Sequence, residues 1–209
     1  RGLTPTFGRF DEPGFNEEQF ERRLEADPRL VHAAFWYWVR KLQARVIAND
    51  AAAIDAAAKA NRSLWTSKTL FERADFHFYA ALAHAALGNP ASSGDRAEHF
   101  ERLAAHHRQL QQWADICPED FTDRAALVGA EIARIEGREL DAMRFYDRAI
   151  DSARANGFVQ NEALANELAA RFYAARGFEK IAYTYLRDAC YCYLRWGADA
   201  KAKQLERLY

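Results

Sequence analysis

The feature that most constrains this chain is a spacing of small residues that recurs in its second half. Gly137, Ala142, Tyr146 and Ala149 reappear forty residues on as Gly177, Ala182, Leu186 and Ala189, and Ala130 and Glu139 as Ala170 and Glu179. Of the twenty aligned positions from Ala130 to Ala149 five are identical, and four of those are Gly or Ala. Small residues held in phase mark places where two helices approach too closely for a larger side chain. Self-similarity at such a period belongs to arrays of helix pairs, each too small to bury its apolar face alone. The expected fold is all-α, a right-handed superhelix of about ten helices in antiparallel pairs. Arrays of this kind present surfaces more often than they perform chemistry.

The apolar pattern supports helices along the whole chain. Asn16 is an N-cap for a short helix to Asp27, with Glu17 and Glu18 in its first turn. Pro28 then opens a second helix, where its missing N–H costs nothing. That helix carries Phe35, Trp36, Tyr37 and Trp38, which cover nearly every side of one turn. An Ala-rich helix to Arg62 is suited to close packing, and helices over 70–87 and 96–116 follow. In the second half Ala142, Phe145, Tyr146, Ala149 and Ile150 fall on one helical stripe, as do Ile181, Tyr185, Leu186, Ala189 and Tyr193. Gly and Pro between residues 1 and 15 predict a linker or flexible arm. Residues 16–209 are expected to form a single helical-repeat domain, with an insertion loop near 88–95 and a terminal capping helix over 198–209. Leu205 and Leu208 are its apolar contacts. A chain that begins at Arg1 and stops at Tyr209 inside a helical pattern reads as a piece of something larger.

Composition narrows the function. The 29 basic and 30 acidic residues are well mixed and leave a net charge of −1, which argues against nucleic acid as a partner. No apolar run approaches the length of a membrane span and no signal peptide is visible, so a cytoplasmic location is expected. Cys117, Cys190 and Cys192 do not form a disulfide framework. Cys190 and Cys192 point roughly 200° apart on a helix. Free thiols in a reducing compartment follow.

The phrase Gly–x4–Ala–x3–aromatic or Leu–x2–Ala resembles the second half of a tetratricopeptide repeat, although the period here is 40 rather than 34. Arg154 stands where that pattern has its closing Pro, and is expected to face water. Longer phrases carry a second resemblance: Phe35–Ala44 (FWYWVRKLQA), Leu127–Glu139 (LVGAEIARIEGRE), Phe158–Tyr173 (FVQNEALANELAARFY) and Gly177–Gly197 (GFEKIAYTYLRDACYCYLRWG). These are similar to the tetratricopeptide-like helical middle region of large bacterial multidomain signalling kinases. There a Ser/Thr-kinase-like domain and an ATPase module precede the helices, and GAF and histidine-kinase modules follow. The resemblance implies a non-catalytic interaction and signal-relay scaffold that connects the ATPase module to the sensor and kinase domains. Its partners would be protein domains, within the parent kinase or in other signalling proteins. No phosphate-binding loop, His-Arg-Asp or Asp-Phe-Gly motif is present, so neither catalytic residues nor a cofactor are expected in this segment.

Three groups of residues invite a chemical role. His32, His77, His84, His99, His106 and His107 lack the His-Glu-x-x-His spacing of a zinc helix, so no metal is expected; exposed or core histidines are the simpler account. His99 and His106 share a face. Glu131, Glu136, Glu139, Glu162 and Glu167 interleave with Arg134, Arg138 and Arg171, the pattern of a solvated face with ion pairs. Tyr173, Tyr183, Tyr185, Tyr191, Tyr193 and Trp196 fit a packed seam with a wet rim. In a tetratricopeptide-like layout the first helix of each pair lines the partner groove, which nominates Arg134, Glu167 and Arg171. The alternative is a small-molecule-sensing helical domain whose pocket is formed by Phe35–Trp38 or by the tyrosines.

Overall fold

The computed structural model describes residues 4, 7–67, 70–87 and 93–208. Gly2, Pro5, the insertion at 88–92 and the side chain of Leu208 lie outside the described residues. The chain is all-helical: α1 (Glu17–Ala26), α2 (Val31–Ala48), α3 (Ala53–Arg62), α4 (Leu70–Ala86), α5 (Ser93–Ile116), α6 (Pro118–Ile135), α7 (Glu139–Ala155), α8 (Val159–Ala174), α9 (Glu179–Trp196) and α10 (Asp199–Leu208). Among the described residues the only extended pairing is an isolated bridge between Glu12 and Phe15. The described residues fall into two compact units, one up to His106 and one from His107 onward. Their boundary falls at the end of His106, inside α5 and beyond the 88–95 stretch.

In the first unit α2 packs on α3 and α4. The aromatic run divides by helical angle. Phe35 and Trp38 are buried, Tyr37 is half-buried, and Trp36 is turned outward. Ala53, Ala56, Ala57 and Ala60 form the buried stripe of α3, one methyl deep. The arm before α1 is not loose where it is described. The Phe10 ring meets Tyr37 edge-on, Phe15 meets Phe20, and the Phe10 N–H donates to Glu17. Gly8, at φ +76°, is buried against Arg45 and Ala48.

The second unit has a finer cadence than its forty-residue sequence repeat. Helices α7, α8, α9 and α10 start at residues 139, 159, 179 and 199, each twenty after the last. Each is preceded by a glycine at positive φ: Gly137 (+75°), Gly157 (+77°), Gly177 (+78°) and Gly197 (+80°). The same cap closes every turn. The N–H of Arg138, Phe158, Phe178 or Ala198 donates to the carbonyl of Ala133, Ala153, Tyr173 or Tyr193 at 2.8–3.0 Å. This is the Schellman arrangement, which satisfies carbonyls the ending helix would otherwise orphan. The four glycines are therefore small for a reason other than close packing, because open space surrounds the place of a Cβ at each. Their requirement is the left-handed φ, which costs an L-residue about 1–2 kcal/mol. Gly157→Ala should lose that much stability in a denaturant melt, and Gly157→Asn less, since Asn tolerates this conformation best.

Short turns make successive helices antiparallel neighbours. Across α7 and α8 the Arg176 Nε, just past the end of α8, meets Glu139 at 3.0 Å, while Arg154 near the end of α7 meets Glu162 at the start of α8. Helices two apart also touch, through Asn161 to Asp123 (α8 to α6) and Tyr185 to Asp147 (α9 to α7). The repeated alanines fill the seams: Ala130, Ala142, Ala149, Ala170, Ala182 and Ala189 are all buried. Leu at Ala149 or Ala189 should cost about 1–3 kcal/mol by overpacking. Arg148, exposed on α7, is the control and should tolerate Ala within about 0.5 kcal/mol. Arg154 does not serve as that control. Its side chain is 56% exposed, but its Nε donates at 2.8 Å to the buried Glu162.

Candidate functional site

The nominated groove residues are part of the internal architecture of the second unit. On α6, Glu131 is buried and accepts from the Tyr146 hydroxyl of α7 and from Arg134, whose Nη2 lies 2.7 Å away. On α8, Glu167 is 1% exposed and accepts from Arg171, from the Tyr193 hydroxyl of α9 at 2.7 Å and from the Lys201 ammonium of α10 at 2.8 Å. Glu167 is thus a bolt joining three helices rather than a groove residue. Arg134 and Arg171 are each about one-third exposed (32%), with their guanidinium groups directed to these carboxylates.

The acidic series therefore splits. Glu136 and Glu139 are exposed, as a solvated face requires, whereas Glu131, Glu162 and Glu167 are buried. Asp123 joins them, 2% exposed, with Asn161 Nδ2 donating at 2.6 Å; burial raises its pKa against that hydrogen bond. Lys201 responds in the opposite sense. Burial lowers its pKa and Glu167 partly restores it. Tyr146 is held far above the ordinary phenol value by burial and then by Glu131, so its hydroxyl is a fixed donor. Spacing alone does not separate these glutamates from solvated ones. Adjacency to alanine does not separate them either, since Glu25, Asp55 and Glu98 are next to alanines and exposed while buried Glu167 is not.

The tyrosines divide as a seam and a rim. Tyr173 and Tyr193 are buried, Tyr185 stacks on Tyr173 with ring centroids 5.3 Å apart, and Tyr183 and Tyr191 are exposed. The cysteines are free. Burial and then Glu162 push the Cys192 thiol up to about 11, and burial also raises Cys190.

The first unit holds two further polar assemblies. Beside α1 lies a cleft of about 330 Å³ lined by Arg9, Asp11, Asn16, Glu17, Glu18, Glu21, Lys41 and Arg45. At its edge Lys41 is buried and paired with Glu17, and the Tyr37 hydroxyl donates to Glu21 at 2.7 Å. Between α4 and α5 four imidazoles meet. The Nδ1 atoms of His77 and His106 are 2.9 Å apart, and those of His84 and His99 3.0 Å. The His84 ring is stacked on His106, with centroids 5.9 Å apart. Sequence placed His99 and His106 on one face but did not show that His77 and His84, also seven apart, face them. Within each pair the centroids are 5.0 and 5.2 Å apart, close to the N···N distance plus two ring radii. That is the head-on geometry of N–H···N, not of two lone pairs converging on an ion. Among the described residues no group of three or more His, Cys, Asp or Glu side chains is placed to hold a metal.

Compared with known protein families, with curated proteins and with solved structures, the chain matches none. No described helix is long and apolar enough to cross a membrane.

Proposed function

We propose that this chain is a non-catalytic interaction and signal-relay scaffold: a tetratricopeptide-like, right-handed helical array from a cytoplasmic bacterial signal-transduction histidine kinase, linking an ATPase module to sensor and kinase domains. The observation that carries this reading is the twenty-residue cadence of α7–α10, with the same glycine cap at every turn. A chain built from repeated helices and Ala-filled seams invests its residues in a stacked framework. Buried carboxylates tie successive helices together, so a displacement at one end of the second unit is passed on rather than absorbed. Partners are protein domains, met through the exposed faces of the helices, including the outer third of Arg134 and Arg171.

A small-molecule-sensing domain would need an enclosed, mainly apolar cavity with a few converging polar groups. Phe35 is instead packed into the core, and the cleft of about 260 Å³ that Trp38 lines is walled mainly by charged side chains, Glu21, Arg45, Asp55, Lys59 and Arg62, with the Lys59 ammonium over the Trp38 ring. The cleft beside α1 is lined by charged and polar side chains, of which Glu17, Lys41 and Arg45 are already hydrogen-bonded within the protein. The scaffold accounts for these features more simply.

The reading frame around this segment supplies the test, together with calorimetry on the purified chain. The expected frame has an ATPase module upstream and sensor and histidine-kinase modules downstream. The chain should bind the isolated ATPase module saturably and show no saturable binding of ATP. A frame without those modules, or ATP binding by the chain itself, overturns the proposal.

A further inference from the structure

The histidine quartet between α4 and α5 is unused by the scaffold reading, and its geometry has a consequence of its own. His77 and His84 are seven residues apart on α4, and His99 and His106 seven apart on α5. The antiparallel pairing sets His77 against His106 and His84 against His99. Each N···N contact needs one ring with its proton on Nδ1 and one ring with Nδ1 bare. A first added proton goes to the unprotonated Nε2 of the donating ring and leaves the contact intact. A second goes to the bare Nδ1 of its partner. Both rings then present N–H and positive charge to each other, and the contact has no acceptor. The stack of His84 on His106 places the two pairs within reach of each other's charge.

Beside the neighbouring imidazoles, the charges bearing on His77, His84 and His106 include Arg73 of α4 and Arg102 of α5, both positive. Among the described side chains, the other charged or titratable groups on these helices and on the helices packed against α4 are Glu72 and Asp75 of α4, Arg96, Glu98, Glu101, His107, Arg108 and Asp115 of α5, His32, Arg40, Lys41 and Arg45 of α2, and Asp55, Lys59 and Arg62 of α3. Asp75 is bound to Arg40 at 3.0 Å, Glu98 to Arg102 at 2.6 Å, and Lys59 to Glu25 at 2.9 Å. Phe76 packs edge-on against His77 and His106.

We propose that the two imidazole pairs are an acid-operated latch, which holds residues 96–106 of α5 on α4 while the rings are neutral and releases them when a pair takes up its second proton. Burial first, then the neighbouring imidazoles and the two arginines, keep three of the rings neutral well below the ordinary histidine range, His77 and His84 at about 3 and His106 at about 4. Opening therefore couples to proton uptake. The closed form binds protons poorly, and the open form binds them as free histidine does.

Hydrogen exchange on the full chain, followed by mass spectrometry from pH 7.5 to 4.5 and corrected for intrinsic exchange, tests this. Protection in peptides from α4 and from residues 96–106 should fall at least tenfold further than in peptides from α7 and α8. The variants His77→Leu/His106→Leu and His84→Leu/His99→Leu each remove one pair and should each reduce that difference. Should either fail to fold, His77→Gln retains a hydrogen-bonding group opposite His106, removes one titrating ring and reads the same reduction. Equal loss of protection in α4 and α8, or an undiminished difference in the variants, overturns the latch.

Discussion

Glu167→Leu should be the most destabilising single substitution in the second unit, lowering the free energy of unfolding by about 3–5 kcal/mol. Lys201 is 2% exposed, and with Glu167 gone its ammonium keeps Gln204 at 3.2 Å and the Tyr193 ring, 5.8 Å to the centroid. The Tyr193 hydroxyl and the Arg171 guanidinium each lose the Glu167 carboxylate in the same step. An isolated buried charge is the costly product, more than the lost attraction itself. Lys201→Met should cost less, because Glu167 still accepts from Tyr193 and Arg171. The double variant Glu167→Leu/Lys201→Met should recover much of the loss, since no unpaired ammonium remains and the replacements are apolar and of similar size. Urea melts of the three variants measure this. A Glu167→Leu midpoint equal to that of the parent would remove the bolt from the account, and with it the mechanical coupling of α8, α9 and α10.

Acid should have the second large effect. In the folded state His77 and His84 titrate at about 3 and His106 at about 4, below the ordinary value of 6.5 that applies once the chain unfolds. Above pH 6.5 both states are neutral at these rings and contribute no pH dependence. Below it the unfolded chain binds protons that the folded chain refuses, so stability falls as pH falls, until the folded rings titrate as well. Each ring contributes up to about 1.4 kcal/mol per pH unit across that window. Burial is the first cause of all three shifts, so the effect is only weakly screened by salt. Stability at pH 5 should therefore lie several kcal/mol below that at pH 7.5, on the order of a marginal domain's whole reserve. Replacing the rings with Leu in pairs should flatten the profile between pH 6.5 and 4. A profile that is flat in the parent, or unchanged in the variants, would place these rings in solvent.

How far the sequence reaches is clearest at particular residues. Asn16 was legible as a cap and accepts from the Gln19 N–H at 2.8 Å, and Pro28 was legible as a helix opener, here of the 3₁₀ turn Pro28–Leu30 that leads into α2. These signals are local, because a cap or a proline acts within one turn of backbone. The repeated small residues were equally legible in position but not in cause. Ala149 and Ala189 are small because a seam is full, whereas Gly137 and Gly177 are small because φ is positive. A residue type does not distinguish the two. The twenty-residue cadence is written in Gly137, Gly157, Gly177 and Gly197, but the side chains between them repeat only at forty, and the backbone hydrogen bonds are what make the four turns alike.

The sequence by itself determined that this chain is helical, where its helices turn, and which alanines lie inside, because helical period, capping and breaker residues are properties of short stretches. Only the tertiary structure decided which charges are buried. Glu131, Glu162 and Glu167 have the spacing of a solvated face, and they became internal because Tyr146, Arg154, Tyr193 and Lys201 arrive from other helices to satisfy them. The four histidines likewise became a cluster only when α4 and α5 met. A carboxylate or an imidazole is indifferent in sequence and decisive in a fold, since its free energy is set by partners that lie 15 to 34 residues away along the chain for the Tyr146–Glu131, His84–His99 and Lys201–Glu167 contacts.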